Sequence, residues 1–217
     1  MSVSLVSTTT PCSALIEQGI KTPEDLVVYI ARVSNPSNQF NTVTGERLLA
    51  YCIGHQHWSP FEQVDMTVEI VTTRAISAQI TRHRSFSFQE FSQRYSDVAS
   101  TQHVELRKQA LKNRQSSTEP IAEAELLNQQ VQDLQERSKK LYADLLEAGV
   151  ARECARMVLP LSTTTTLYMK GSLRSWIHYI QLRTKDDSQK EHRVIAIGVK
   201  DIFSKLFPLI SKSLNKS

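Results

Sequence analysis

The period of the apolar positions changes several times along the chain, and each change marks an element. Residues 2–7 alternate, as a short strand does. Thr22-Pro23-Glu24-Asp25 sets a capping hydroxyl, a proline and two acids at a helix start. That helix runs to about Val33, where Asn35-Pro36-Ser37 breaks it. A second helix is expected over residues 45–53. Val64, Met66, Val68 and Ile70 alternate through residues 63–72, the pattern of a half-buried strand. Thr73 then caps a short helix to about Thr81, and residues 86–95 read as extended. Residues 108–118 are polar, without a period, and read as loop. Thr118-Glu119-Pro120 opens a long helix to about Ala148, stopped by Gly149. Its seam of Ile121, Ala124, Leu127, Val131, Leu134, Leu141, Leu145 and Ala148, with Ser138 the polar member, suits core packing and coiled-coil contact equally. Residues 151–158 give another helical turn or two, and residues 161–168 are β-prone. Residues 172–183 and 189–206 are amphipathic helices. Residues 211–217 read as a frayed basic tail. No internal repeat is visible.

Composition narrows the function more than the fold. A chain of 217 residues, 40% of them apolar, buries a sizeable core without staples. The net charge of +4 suits anionic ligands but does not demand nucleic acid. No apolar run reaches the ~18 residues of a membrane span, and the first residues lack the pattern of a signal peptide. The three cysteines, Cys12, Cys52 and Cys154, form no C-x-x-C pair, so a reducing, cytoplasmic or otherwise intracellular setting is expected. His55 and His57 are two close imidazoles without a third ligand, and no metal site is expected. Only six glycines occur, none spaced as a dinucleotide or P-loop fingerprint requires. A bound nucleotide would have to be held by side chains, and arginine is the natural one.

The densest polar stretch runs from Gln79 to Tyr95. On a helix, Gln79, Arg82 and His83 share one face. On a strand, Glu90, Ser92 and Arg94 share a parity opposite to Phe91 and Tyr95. Two adjacent polar faces of this kind favour a site for an anion over a merely solvated surface. Arg82-His83-Arg84, seven residues and then Ser92 resembles the RHR-x7-S signature of the flavin-dependent thymidylate synthases, the ThyX family. His57-Trp58-Ser59-Pro60-Phe61-Glu62 is similar to that family's H-x-[ST]-P-F-E segment. Residues 151–160, AREC-AR-MVLP, resemble its ARE-x-AR-x-x-LP segment. Ser172-Leu173-Arg174-Ser175-Trp176-Ile177-His178, with Leu182-Arg183, resembles its flavin-binding helix.

The resemblance implies an α+β fold over residues 1–217 as one domain, with a central antiparallel sheet, flanking helices and one long helix. It implies a homotetramer whose active sites are shared between subunits, with no nucleic-acid and no membrane partner. It implies bound FAD, and conversion of dUMP to dTMP with methylenetetrahydrofolate as carbon donor and NADPH as reductant. Carried over residue by residue, dUMP falls to Gln79, Ile80, Thr81, Arg82, Glu90, Phe91, Ser92, Gln93, Arg94, Arg156 and Arg183. FAD falls to His57, Ser59, Arg82, His83, Arg84, Glu90, Ser172, Arg174 and His178. Arg183 takes the catalytic role of activating the uracil. Gln89 and Ser172 depart from the asparagines of other members, and Asp187 lies near a position that is histidine in some.

Elementary chemistry runs beside the resemblance. Uracil C5 is a weak nucleophile until a group adds at C6 or the N3 proton is withdrawn. Cys12 lies in an expected N-terminal loop without a base, and Cys52 and Cys154 read as small buried hydrophobes. Arginine beside the ring is the remaining route. Ser92 reads as a clamp, because Glu90 would lie roughly 7 Å away along a strand. Arg174 and His178 share a helix face, whereas Arg183 is turned about 180° from Arg174, so the two guanidiniums cannot reach one small site from one helix body. A competing class is a single-strand nucleic-acid module, with Arg82, Arg84 and Arg94 among Phe86, Phe88, Phe91 and Tyr95. A third is an oligomeric scaffold built on the long helix.

Overall fold

The computed structural model describes residues 1–96 and 100–214. Along the chain come β1 (Ser2–Thr8), α1 (Ser13–Glu17), α2 (Pro23–Ala31), α3 (Gly45–Gly54), β2 (Asp65–Thr73), α4 (Arg74–Ile80) and β3 (Ser87–Glu90). They are followed by β4 (Arg107–Gln109), β5 (Ser117–Pro120), α5 (Glu125–Glu147), α6 (Arg152–Ala155), β6 (Thr164–Ser172), α7 (Leu173–Arg183), α8 (Lys190–Leu206) and α9 (Pro208–Leu214).

The fold is α+β. The main sheet has the order β1-β2-β6-β3 with every neighbour antiparallel. Its centre is the β2–β6 ribbon, in register from Asp65↔Ser172 to Thr73↔Thr164. Met66, Val68 and Ile70 of β2 and Leu167 and Met169 of β6 are fully buried on one face, as the period of two requires. Trp176, Ile177, Ile195, Val199 and Phe203 of α7 and α8 join them in the core. Thr67, Glu69, Thr166, Tyr168 and Lys170 lie on the opposite, less covered face, where Tyr168 donates to Glu69 at 2.7 Å.

Both central strands run straight into helices. Thr73 ends β2 and caps α4, its hydroxyl accepting from the Ile76 amide. Ser172 ends β6 and caps α7 in the same way, accepting from the Ser175 amide. Because the strands are antiparallel, α4 and α7 start at opposite ends of the ribbon. Trp176 anchors α7, donating its indole N–H to the Met66 carbonyl at 2.9 Å. Gly171 in β6 permits a close approach: a Cβ there would lie 2.4 Å from the Phe86 ring. Phe86 in turn packs edge-on against Trp176 at 4.6 Å.

Several expectations need correction. Residues 108–118 are not loop throughout, and Thr118-Glu119-Pro120 does not open the long helix. The strands β4 and β5 pair as a hairpin, with Lys108 and Glu119 bridged at 3.0 Å, and α5 starts only at Glu125. The pairing is carried by backbone and charged side chains, so it has no apolar period. Residues 86–95 are not one strand: β3 ends at Glu90, and a turn follows in which the Ser92 carbonyl accepts from the Tyr95 and Ser96 amides. The helix from Thr22 stops at Ala31. Residues 211–214 belong to α9, which also buries Ile210, while residues 215–217 lie outside the described residues. Cys154 is exposed rather than buried; Cys52 is buried.

The seam of α5 also divides. Ala124 and Tyr142 are buried, but so is Gln135, which donates to the Gln102 carbonyl at 3.0 Å and to Ser162 at 2.7 Å. Ser138 donates to the Val158 carbonyl. These polar anchors turn their face inward. Leu127, Leu134 and Leu141 are left 48%, 64% and 47% exposed, seven residues apart in a row.

Candidate active site

The start of α7 and the 3-10 turn Ser59–Glu62 form one cluster. Arg174 donates to Glu62 at 2.8 Å, and the Ser172 hydroxyl donates to the other oxygen of the same carboxylate at 2.5 Å. The Ser172 hydrogen bond and the Arg174 charge hold the Glu62 carboxyl below its ordinary range. One turn on, His178 packs edge-on against Trp58 at 4.9 Å. Burial, with the Arg174 charge in support, lowers the His178 pKa. His57 and Ser59 are exposed beside them in sequence, and His57 meets Tyr51 edge-on at 5.7 Å. Arg174 and His178 thus share one exposed face, as helix spacing requires.

The end of α4 forms the second cluster. The helix stops at Ile80 with Thr81 as its cap, so Gln79, Arg82 and His83 do not stay on one helical face. Gln79 donates to Gln189 at 2.6 Å. Arg82 and Arg84 point to solvent, and neither pairs with a carboxylate among the described residues. His83 turns inward and accepts from Arg183 Nε at 2.9 Å. Burial and the Arg183 charge push its pKa down to about 4, so the ring is neutral. Arg183 is the last residue of α7, directed to His83 while Arg174 is directed to Glu62.

The third cluster follows β3. Glu90 does not stand in a row with Ser92 and Arg94. Its Oε1 accepts from Arg74 at 2.6 Å, Ser77 at 2.6 Å and Thr165 at 2.9 Å, because β3 lies beside β6 and the start of α4. Beyond it, Ser92, Arg94, Tyr95, Ala151, Arg152 and Glu153 line an open cavity of about 390 Å³. There Arg94 pairs with Glu153 at 3.0 Å. Glu90, Phe91, Ser92, Tyr95, Thr166 and Tyr168 line a second cavity of about 380 Å³. Gln93 is buried, its amide nitrogen without a partner among the described residues, and Arg156 is half-buried in the turn after α6.

The structure therefore gathers the predicted residues into three groups rather than one. Residues missed from the sequence are Arg74, Glu62 and Glu153, each the ionic partner of a predicted residue, and Tyr95, which lines both cavities. Glu62 stood inside a quoted segment. Arg74, first residue of a capped helix, gave no signal of its own. Of the aromatics in the competing nucleic-acid reading, Phe86 is buried and Phe88 packs on the core, whereas Phe91 and Tyr95 are exposed.

The donor set fits a flavin nucleotide. Arg82 and Arg84 present guanidiniums with no carboxylate partner among the described residues, which suits a pyrophosphate, and Trp58 and His178 offer ring surfaces on the face that carries Arg174. Among the described residues no three His, Cys, Asp or Glu side chains gather as metal ligands would, and no helix is long and apolar enough to cross a membrane.

Comparison with known proteins decides the family. Residues 14–209 match the family model described as thymidylate synthase complementing protein. The chain is 49% identical to a probable flavin-dependent thymidylate synthase of Paramecium bursaria Chlorella virus 1, covering 99% of both chains. The chain belongs to the flavin-dependent thymidylate synthase family. It is also 49% identical to the flavin-dependent thymidylate synthase of Synechocystis sp., again over 99% of both chains. The UMP/dUMP methylase PolB from Streptomyces cacaoi, solved with 5-Br dUMP, superimposes with a TM-score of 0.83 at 25% identity, over 99% of this chain and 94% of that one. Flavin-dependent thymidylate synthases are methyltransferases.

Proposed function

We propose that the chain converts dUMP to dTMP with bound FAD, taking the carbon from methylenetetrahydrofolate and the electrons from NADPH. The balance is dUMP, methylenetetrahydrofolate, NADPH and a proton giving dTMP, tetrahydrofolate and NADP⁺. The observation that carries this reading is the set of guanidiniums left free for anions. Among the described residues Arg82 and Arg84 have no carboxylate partner, and Arg183 donates its Nε–H to an uncharged acceptor.

FAD, when bound, supplies the redox chemistry that turns the transferred methylene into a methyl group. The protein's own residues do the rest. Ser92 and Arg94, the latter paired with Glu153 at 3.0 Å in the open cavity, clamp the nucleotide by its phosphate. Arg183 lies against the uracil and stabilises negative charge as N3 ionises. That charge reaches C5, which then attacks the methylene carbon. This step uses no thiol: Cys52 is buried, and burial pushes its thiol pKa up and leaves little thiolate at neutral pH, while Cys12 and Cys154 are exposed and take no part in it. Glu62 neutralises and aims Arg174 on the flavin side.

The predicted residues fall into three clusters within one chain, and the α5 leucine row is uncovered. Both support a homotetramer in which neighbouring subunits complete each site. The test is a visible spectrum followed by turnover. Purified protein should be yellow, bleach with NADPH in the absence of oxygen, and form dTMP from dUMP and methylenetetrahydrofolate. Colourless protein that forms no dTMP when FAD is supplied would overturn the proposal.

A further inference from the structure

His83 enters the site as a flavin contact, yet the structure gives it a second partner. Arg183 Nε donates to His83 Nε2 at 2.9 Å. A guanidinium carries five N–H donors, no acceptor and a permanent charge. With Nε committed to His83, the two terminal amino groups remain as a planar fork. The imidazole has little freedom to move. The Phe86, Tyr179 and His192 rings meet it edge-on at 6.4, 5.0 and 6.0 Å. Tyr179 and His192 are buried and joined by a hydrogen bond of 3.1 Å between the hydroxyl and Nε2. Phe86 is seated over Gly171, where an added Cβ would lie 2.4 Å from the ring and push it aside.

We propose that His83 is a positioning residue for Arg183: held edge-on by Phe86, Tyr179 and His192, it accepts the Nε–H and turns the terminal amino groups of Arg183 toward the substrate. The inference rests on the reading of Arg183 as a dUMP residue. Only an unprotonated Nε2 can accept, and burial beside the Arg183 charge keeps it so. Tyr179 and His192, absent from the motif-derived residues, then act at one remove, by fixing the ring.

The test compares flavin-loaded wild type with His83→Phe and His83→Gln. Phenylalanine keeps a ring among the three neighbours and removes the acceptor; glutamine restores an acceptor oxygen. The measurements are flavin per subunit, dUMP affinity by calorimetry, and KM for dUMP against kcat. His83→Phe should keep its flavin and bind dUMP roughly ten- to hundred-fold more weakly, the loss expected for one charge-assisted hydrogen bond. His83→Gln should recover most of that loss. Unchanged dUMP affinity in His83→Phe, or no recovery in His83→Gln, overturns the proposal. Loss of flavin with dUMP affinity intact also overturns it, leaving His83 a flavin contact alone. If His83→Phe does not fold, Gly171→Ala displaces Phe86 from the ring instead. Weaker dUMP binding with flavin retained then supports the proposal, and unchanged binding overturns it. A flavin-loaded wild type that binds no dUMP would overturn the substrate reading itself.

Discussion

At the scale of single residues, the site is a set of guanidiniums distinguished by their partners. Arg94 pairs with Glu153 in an open cavity, Arg174 pairs with Glu62, and Arg183 faces a neutral imidazole. The proposed roles predict separable losses. Arg94→Ala should weaken dUMP binding more than about ten-fold and leave flavin bound, because a charge-assisted hydrogen bond is worth roughly 1.5–3 kcal/mol. Arg174→Ala should release flavin first. Calorimetry with dUMP and flavin quantification check both, and the reverse partition would contradict them. The motifs made Arg183, His83 and Arg174 legible in the sequence. Their contacts were not. His83 and Arg183 are 100 positions apart, and only the turn after α4 and the end of α7 bring them together. Glu90 illustrates the opposite error: strand parity aligned it with Ser92 and Arg94, whereas the end of β3 leaves it bound to Arg74, Ser77 and Thr165.

At the scale of elements, what proved legible was whatever buries an apolar face. The Ser172 cap came only with the structure, whereas the β2 alternation and the Thr22 and Thr73 caps appear where the pattern sets them. The β4–β5 hairpin did not, since charged pairs and backbone bonds hold it. The seam of α5, open between core packing and coiled-coil contact, divides: Gln135 and Ser138 bond to part-buried carbonyls and a hydroxyl, while Leu127, Leu134 and Leu141 stay outside. Helix α9, whose last four residues fall in the stretch read as a tail, is tied down by a distant acid. Glu24 of α2 is 4% exposed and accepts from the Ile210 amide at 2.8 Å. Glu24→Ala leaves that amide buried without a partner, at a cost of about 1–3 kcal/mol. Hydrogen exchange should show α9 opening in this variant, with Glu24→Gln, which keeps an acceptor oxygen, close to wild type. Unchanged α9 protection in Glu24→Ala would contradict the capping role.

At the scale of the whole molecule, two neutral histidines inside the fold make stability depend on pH. Burial and the Arg183 charge push His192 down to about 3 and His83 to about 4, against an ordinary 6.5. Between those folded values and 6.5 the unfolded chain takes up protons that the native one refuses, so stability falls as pH drops through this window. Glu24 acts in the opposite sense, since burial raises its pKa and the native carboxyl holds a proton more tightly. The informative comparison is therefore between wild type and His192→Phe. Denaturant midpoints taken at pH 7 and pH 5 should fall further for wild type, by up to about 2 kcal/mol for the one imidazole. Equal losses would show that His192 is not kept neutral. The same scale governs the assembly. Three separate clusters and an uncovered leucine row fit a site completed by a neighbouring subunit, and a single sequence showed only its parts.

The central claim is that guanidinium charge, and no thiol, activates the pyrimidine. It is tested most directly by the rate of dTMP formation in a variant with Cys12, Cys52 and Cys154 all changed to alanine, measured beside Arg183→Ala. The thiol-free protein should retain most of the wild-type rate, while Arg183→Ala loses at least about ten-fold. A folded, flavin-loaded thiol-free protein that makes no dTMP, beside an Arg183→Ala variant that does, would contradict the account.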